Sequence, residues 1–137
     1  MAYWKWDPSL ETGIETIDDQ HRQIIGYINE LYTAHKDGNI HQVTKVLMGL
    51  LDYTSTHFTF EEELLEEVGY PLMDTHKKTH ASFIADLDTY VEKHVKGEDI
   101  CVPLLAALKS WLDNHIRVDD AEYTPFAIKY LRKNPDV

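Results

Sequence analysis

Apolar residues recur at intervals of three and four along four stretches of the chain. In the first stretch they include Ile17, Ile24, Ile28 and Leu31, and this spacing places them on one face of an α-helix. Helices commonly end at glycine, and a glycine follows each of the first three stretches, at positions 38, 69 and 97. No stretch alternates apolar with polar residues as a half-buried strand does. The pattern predicts an all-α protein.

The signals at the ends of each stretch set the predicted bounds of the helices. Asn39 and Gln42 resemble a capping box at the start of the second helix, and Pro71 suits the first turn of the third. Pro125 is predicted to begin a short amphipathic tail helix. The predicted helices span about 18–37, 40–66, 71–95 and 102–119, with the tail helix at about 123–132.

Connections of only a few residues join these helices, so neighbours in sequence are expected to run antiparallel. The predicted fold is therefore an up-down-up-down antiparallel four-helix bundle, with an N-terminal arm that carries Trp4 and Trp6 and a short C-terminal helix. A length of 137 residues fits one domain, predicted to cover 1–137.

Charge and composition exclude several classes of partner. Lysine and arginine number 13 against 24 aspartates and glutamates, for a formal net charge of −11. This charge repels phosphate backbones, so no nucleic-acid partner is expected. No signal peptide is recognisable and no apolar run approaches the roughly 18 residues of a membrane span, so we predict a cytoplasmic protein without membrane insertion. The single cysteine, Cys101, excludes an internal disulfide and is expected to fill space in the core.

Five of the eight histidines fall where the alternating helices of a bundle share one end. They are His21 near the start of the first predicted helix, His57 late in the second, His76 and His80 early in the third, and His115 late in the fourth. The topology alone therefore brings these five side chains to a common level.

The spacing of these residues predicts that they point into the core. Residues four apart share a helix face, which pairs His57 with Glu61 and His76 with His80. A single inward histidine is usually a hydrogen-bonded core residue. Five imidazoles beside a buried carboxylate would cost several kcal/mol if left unpaired, whereas they are good ligands for first-row transition metals. We therefore predict a metal site.

The other three histidines are too far along their helices to join this site. His35 lies 14 residues beyond His21, His94 lies 14 beyond His80, and His41 lies 16 before His57. At 1.5 Å of rise per residue, each is about 20 Å or more from the cluster. They are expected at the surface or at the other end of the bundle, with a second, adventitious metal site as the alternative.

Two adjacent aspartates compete for one further ligand position after His115. Regular helical geometry favours Asp119, because Asp120 is rotated about 140° away from His115. However, the order of a histidine, H-x-x-x-E, H-x-x-x-H and H-x-x-x-x-D over residues 4 to about 120 resembles the hemerythrin family, in which the last carboxylate falls on Asp120. Asp119 then becomes a candidate for orienting an imidazole from outside.

The resemblance extends beyond the ligands and implies a non-haem di-iron centre with an oxo or hydroxo bridge. Trp6-Asp7, Gly13-Ile14 and Gly69-Tyr70-Pro71 look like the corresponding stretches of the bacterial members. The resemblance assigns His76, His80 and His115 to one iron, His21 and His57 to the other, and Glu61 and Asp120 to both as bridges. One coordination position then stays open for O2.

The implied function is reversible dioxygen binding by an oxygen carrier, store or delivery protein that is not an enzyme. Reversibility requires apolar surroundings that exclude water and protons. By spacing, five side chains are expected to line the oxygen pocket, with plain core packing as the open alternative: Ile24, Phe58, Trp111, Leu112 and Ile116. Dioxygen is the expected partner, with an oxygen-using enzyme as a possible recipient.

Two other classes of function use similar centres. A di-iron oxidase or peroxidase commonly has Glu-x-x-His motifs and mostly carboxylate ligands, and no Glu-x-x-His occurs in this chain. An oxygen or redox sensor is the other alternative. It would have to act through a partner protein, because 137 residues leave no room for an output domain beside the bundle.

Overall fold

A computed structural model describes residues 3–133, with side chains up to 130, and within these residues the secondary structure is entirely helical. The ends of the predicted domain, residues 1–2 and 134–137, lie outside the described residues. The helices are α1 (Glu15–Lys36), α2 (Ile40–Val68), α3 (Met73–Val95), α4 (Cys101–Asn114) and α5 (Ala121–Lys133). A short 3₁₀ turn (Pro8–Leu10) precedes α1, and a π-helical segment (His115–Asp120) joins α4 to α5.

The helices pack as the predicted bundle. Helix α1 packs against α2 and α4, α2 packs against α3, and α5 folds back onto α2. The all-α four-helix fold with an additional C-terminal helix is therefore confirmed. The N-terminal arm is fixed to α1 through Asn29, whose side chain accepts from the Trp4 backbone N–H and donates to the Trp4 carbonyl, each at 2.8 Å.

Helix α1 begins three residues earlier than predicted, at Glu15. The reason is Asp18, whose carboxylate accepts hydrogen bonds from the backbone of Thr12 at 2.8 Å and of Gly13 at 3.2 Å. Gly13 adopts a φ of 92°, which glycine reaches without strain. The chain therefore enters the helix before Ile17, which is the first apolar position of the repeating pattern.

Helix α3 begins later than predicted, at Met73 instead of 71. Gly69 ends α2 with a left-handed φ of 71°, and its N–H bonds back to the carbonyls of Leu65 and Glu66. Pro71 then lies in the turn that follows, closed by a hydrogen bond from the Met73 N–H to the Tyr70 carbonyl. The prediction was wrong because proline suits a tight turn as well as a helix start.

The prediction of a gap between a fourth helix ending at about 119 and a tail helix beginning at about 123, with Pro125 as its start signal, was also wrong. The π segment passes directly into α5, and Pro125 lies inside α5. Continuation buries Tyr123 and Ala127 completely, in an apolar cluster with Leu65 and Tyr70. This burial keeps the chain helical across a stretch whose sequence contains a common helix-start signal.

Two apolar clusters divide the interior. The larger fills the middle of the bundle and includes Ile28 and Leu47, and the smaller joins the C-terminal part of α2 to α5. Along α2 the larger cluster reaches Phe58 and the smaller begins at Leu64 and Leu65. Glu61 falls between these positions, so the polar residues of the site lie where the two apolar regions meet.

Candidate metal centre

The structure brings together all seven side chains predicted as metal ligands. Each is buried, with an exposed fraction between 0% and 5%. One lies on α1, two on α2, two on α3 and two on the π segment: His21, His57, Glu61, His76, His80, His115 and Asp120. Seven ionisable side chains are thus withdrawn from water at one level of the bundle, an arrangement that is unfavourable unless they are mutually satisfied.

The donor atoms form two groups that share Glu61. In each group, every ligand atom lies within 4.8 Å of the others. The first group is Glu61, His76, His80 and His115, and the second is His21, His57, Glu61 and Asp120. Oε1 of Glu61 faces His76, His80 and His115, whereas Oε2 lies 3.4 Å from Nε2 of His57. One carboxylate therefore contacts imidazoles of both groups.

Asp120 spans the same two groups from the opposite wall. Its Oδ2 lies 2.9 Å from Nε2 of His21, and its Oδ1 lies 3.1 Å from Nε2 of His115 and 3.4 Å from Nε2 of His76. The π segment makes this possible, because its hydrogen bonds run between residues five apart and bring Asp120 round to the face of His115. The rotation that favoured Asp119 applies only to a regular α-helix.

Several atoms in the centre have no hydrogen-bond partner within the described residues. They are Nδ1 and Nε2 of His21, Nε2 of His57, and both carboxylate oxygens of Asp120. His21 and Asp120 are close, but their atoms are not aligned as a hydrogen bond. Buried acceptors that converge on one point fit cations bound at that point, since a cation would satisfy lone pairs that no protein donor reaches.

Outer hydrogen bonds orient three of the imidazoles. Nδ1 of His57 donates to Gln20 at 2.6 Å, and Nδ1 of His80 donates to Glu62 at 3.1 Å. With the proton held on the outer nitrogen, Nε2 presents its lone pair to the centre. These two outer partners were missed by sequence reasoning, because each contact joins different helices and has no characteristic spacing.

Asp119 orients the third imidazole, that of His115. Its Oδ2 accepts from Nδ1 of His115 at 3.0 Å. Nε2 of His115 lies 3.0 Å from Nε2 of His80, so two inner nitrogens approach each other closely. When both outer nitrogens hold their protons, a proton or a cation is needed between these inner lone pairs.

The electrostatics of the protein alone favour positive charge in the centre. Burial acts to lower the pKa of His115, but the charge of Asp120 and hydrogen bonds with Asp119 and Glu61 raise it to about 10. Burial likewise opposes charge on His76, yet contacts with Asp120 and Glu61 raise its pKa to about 9. Burial acts to raise the pKa of Glu61, but its contacts with the surrounding imidazoles hold this pKa well below its usual range. Two buried carboxylates thus select cationic partners.

Tyr123 completes one side of the centre and was not predicted as a site residue. Its buried hydroxyl donates to Oε2 of Glu61 at 3.1 Å, and its ring lies 5.5 Å from that of His76. Burial and the charges of Asp120 and Glu61 raise its pKa well above the ordinary value, so the hydroxyl stays protonated. A signal existed in the sequence, since Tyr123 follows Asp120 by three residues, a spacing that shares a helix face.

Aromatic rings cover the imidazoles on the side of the larger apolar cluster. Phe58 stacks on His80 with centroids 3.8 Å apart, and Trp111 stacks on His115 at 4.5 Å. The other three predicted pocket residues belong to the same apolar cluster and are buried: Ile24, Leu112 and Ile116. The role of all five as an oxygen pocket stays a prediction. Four of them are observed in the buried core, whereas Trp111 is half-buried and packs against it.

The remaining histidines lie apart from the centre, as their positions on the helices require. His35 is in the last turn of α1, His94 is in the last turn of α3, and His41 is exposed near the start of α2. Nε2 of His94 lies 2.7 Å from Oγ1 of Thr44. The seven-residue centre is therefore formed without them.

Comparison with known proteins identifies the family of this chain. Residues 12–127 match the model of the hemerythrin HHE cation-binding domain. The chain belongs to the hemerythrin family. Curated hemerythrins include a bacteriohemerythrin of Pseudomonas aeruginosa that is 42% identical over 123 residues, covering 90% of this chain and 80% of the relative. A bacteriohemerythrin of Stenotrophomonas maltophilia is 44% identical over the same shares of the two chains.

A hemerythrin of another organism and a hemerythrin of known structure are also similar. The hemerythrin of Phascolopsis gouldii is 32% identical, covering 86% of this chain and 88% of its own. A crystal structure of wild-type hemerythrin superposes with a TM-score of 0.86 at 28% identity, covering 92% of this chain and 98% of that one. Hemerythrins bind a di-iron centre, and the buried histidine and carboxylate cluster is suited to two metal ions. This chain is accordingly a di-iron, oxygen-binding member of the family.

Within the part of the chain that the structure describes, no helix is both long enough and apolar enough to cross a membrane.

Proposed function

We propose that this hemerythrin binds dioxygen reversibly as a carrier, store or delivery protein, and that it is not an enzyme. The proposed ligands are His76, His80 and His115 for one iron and His21 and His57 for the other, with Glu61 and Asp120 bridging. The observation that carries the proposal is the division of the donors into two groups that both carboxylates span. A ferrous pair held by these donors would supply the electrons and the binding site for reversible oxygen binding.

The side chains of this hemerythrin hold that centre and protect it. Gln20, Glu62 and Asp119 accept hydrogen bonds from the outer nitrogens of three imidazoles. These imidazoles therefore have few rotational alternatives, which favours a fixed coordination geometry. Phe58 and Trp111 cover His80 and His115 with apolar rings and exclude water there. We assign the oxygen pocket to this side of the centre, with Ile24, Leu112 and Ile116 in the same apolar cluster.

The supply of protons distinguishes a carrier from an oxidase. Consumption of oxygen needs protons as well as electrons, and the hydroxyl nearest to Glu61 belongs to Tyr123, whose pKa lies well above its usual value. Tyr123 therefore orients Glu61 by donating a hydrogen bond and is a poor acid. Imidazole-rich coordination also leaves less negative charge to stabilise high-valent iron than the carboxylate-rich sites of oxidases.

The test is a cycle of reduction, oxygenation and purging on the purified, iron-loaded protein, followed by visible spectroscopy and iron analysis. A carrier takes up about two irons and about one O2 per chain, and its visible band disappears on purging and returns with oxygen. The matched control is His41→Gln, which alters an exposed histidine far from the centre and should behave like the wild type.

Two outcomes would redirect the proposal. Irreversible bleaching with turnover of an added reductant would identify an oxidase or peroxidase. A copurifying protein that is released or captured on oxygenation would identify a sensor, whereas an oxygen-using enzyme that accepts the bound oxygen would identify a delivery protein.

The predicted cytoplasmic location stays a prediction.

A further inference from the structure

Three potential metal ligands of different chemistry meet at the end of the bundle opposite the di-iron centre. They are His35 in the last turn of α1, Asp99 in the α3–α4 connection and Cys101 at the start of α4. One ligand atom of each lies within 4.8 Å of those of the other two. His35 is 14 residues from His21 and Cys101 is 14 from His115, about 21 Å at the helical rise. The two groups therefore cannot share an ion.

The donor atoms of this second group are available for ligation. Cys101 is 4% exposed, and its thiol makes no hydrogen bond within the described residues. The His35 side chain likewise has no hydrogen-bond partner in that part of the chain. Asp99 is held beside the cysteine, because its Oδ1 accepts from the Cys101 backbone N–H at 3.3 Å.

A cavity of about 260 Å³ gives access to these side chains. His94 also lines it, but is not part of the group whose ligand atoms lie within 4.8 Å of one another. Asp99 is exposed, so the cavity is reachable from solvent. The arrangement combines a buried sulfur, an imidazole and a carboxylate around a space that an ion can enter.

We propose that His35, Asp99 and Cys101 bind one zinc-class divalent cation, separately from the di-iron centre. Thiolate and imidazole together favour borderline and soft ions over magnesium and calcium, and three protein ligands with an open fourth position are a common zinc arrangement. Burial and Asp99 raise the pKa of the free Cys101 thiol, so ligation has to displace a proton. A bound ion would join the C-terminal end of α1 to the start of α4.

The experiment titrates Co²⁺, a spectroscopic substitute for zinc, into the iron-loaded protein, with equilibrium dialysis for stoichiometry and absorbance for ligand identity. About one Co²⁺ per chain should bind in addition to the iron, with the thiolate-to-cobalt charge-transfer band that only a cysteine ligand produces. Cys101→Ser should abolish the band, and His35→Gln should weaken binding by about 10–100-fold, a range documented for the loss of even an outer partner of a metal site. Zn²⁺ should displace the cobalt.

His41→Gln serves as the control, since this exposed histidine lies outside the cluster and should leave cobalt binding unchanged. Iron content and the oxygen-dependent spectrum, followed in the same samples, should be unaffected by Cys101→Ser and His35→Gln, so failure of this site and failure of the di-iron proposal are separable. Absence of cobalt beyond the iron complement would overturn the proposal. Cobalt bound without the charge-transfer band, or bound equally well by His35→Gln, would overturn it too.

Discussion

At the scale of single residues, Tyr123 and the outer hydrogen-bond acceptors fix how the donors face the centre. Glu61 receives a hydrogen bond from Tyr123 on the oxygen that it turns toward His57, which limits rotation of the carboxylate. Gln20 performs the corresponding role for His57 through its outer nitrogen. These contacts are expected to set how tightly iron is held, because a ligand without such partners has to be ordered at the moment of binding.

Tyr123→Phe removes only the hydroxyl that donates to Glu61. Iron affinity is expected to fall by about 10–100-fold, as for other outer contacts of metal sites. The free energy of unfolding should fall by only about 1 kcal/mol, because a single hydrogen bond is lost. The measurement is the rate and extent of iron transfer to a competing chelator. Tyr90→Phe is the control, and equal iron retention by both variants would contradict the role given to the hydroxyl.

Loading of the metal-free protein should release protons. His76 and His115 have pKa values raised to about 9 and about 10, so both carry an extra proton at neutral pH, and metal ligation requires neutral imidazoles. About two protons per chain should therefore appear when ferrous iron is added anaerobically near neutral pH. The apparent affinity for ferrous iron should rise with pH until the pH exceeds the pKa values of both imidazoles. Calorimetry in buffers of different ionisation enthalpy measures the release, and no release would show that the imidazoles are already neutral.

At the scale of elements, the π segment determines which aspartate reaches the centre. Asp120→Ala is expected to lose both irons or hold them weakly, because His21, His76 and His115 would face no carboxylate from that wall. Asp119→Ala should retain two irons with affinity reduced by about 10–100-fold, since it removes only an outer acceptor. Iron content after gel filtration distinguishes the two variants. The reverse ranking would place Asp119 in the centre and refute the π register.

Regular helices explain why much of this site was predictable from sequence and why the rest was not. The pairs His57 with Glu61 and His76 with His80 follow from four-residue spacing, which holds as long as the helix is an α-helix. Asp120 violates that spacing and was reached only through family resemblance, because a π segment leaves no mark on apolar periodicity. Glu62 contacts His80 between helices, and such pairs depend on packing that spacing rules do not encode.

The same distinction applies to the elements themselves. The four long helices were predicted because their apolar faces repeat over several turns. Their ends depended on single interactions such as that of Asp18 with the Thr12 and Gly13 backbone, which lie outside the repeating pattern. The start of α5 was missed because Pro125 carries a local signal that the burial of Tyr123 overrides.

At the scale of the whole molecule, the centre joins two apolar regions through buried polar groups. Removal of iron leaves seven buried ionisable side chains, and atoms of three of them lack hydrogen-bond partners in the part of the chain that the structure describes. Such groups destabilise the fold because their desolvation is no longer compensated. Bound iron is therefore expected to contribute to stability as well as to oxygen binding.

Removal of iron by chelation is expected to lower thermal stability. A ligand at about a hundred times its dissociation constant contributes about 2.7 kcal/mol to unfolding free energy, and tightly held iron contributes more. Hydrogen exchange should accelerate most in the π segment and α5, and least around Ile28 and Leu47 in the larger apolar cluster. Differential scanning calorimetry and exchange mass spectrometry on both forms measure these effects. Equal stability with and without iron would show that the protein satisfies its buried groups unaided.

The six residues from His115 to Asp120 also limit how this centre can be transplanted. A design that copies the seven proposed ligands onto regular α-helices would turn the Asp120 carboxylate about 140° away from His115 and remove it from the centre. The π-helical segment has to be transferred together with the ligands. In this molecule a local defect in helical regularity is as much a component of the oxygen-binding apparatus as the side chains themselves.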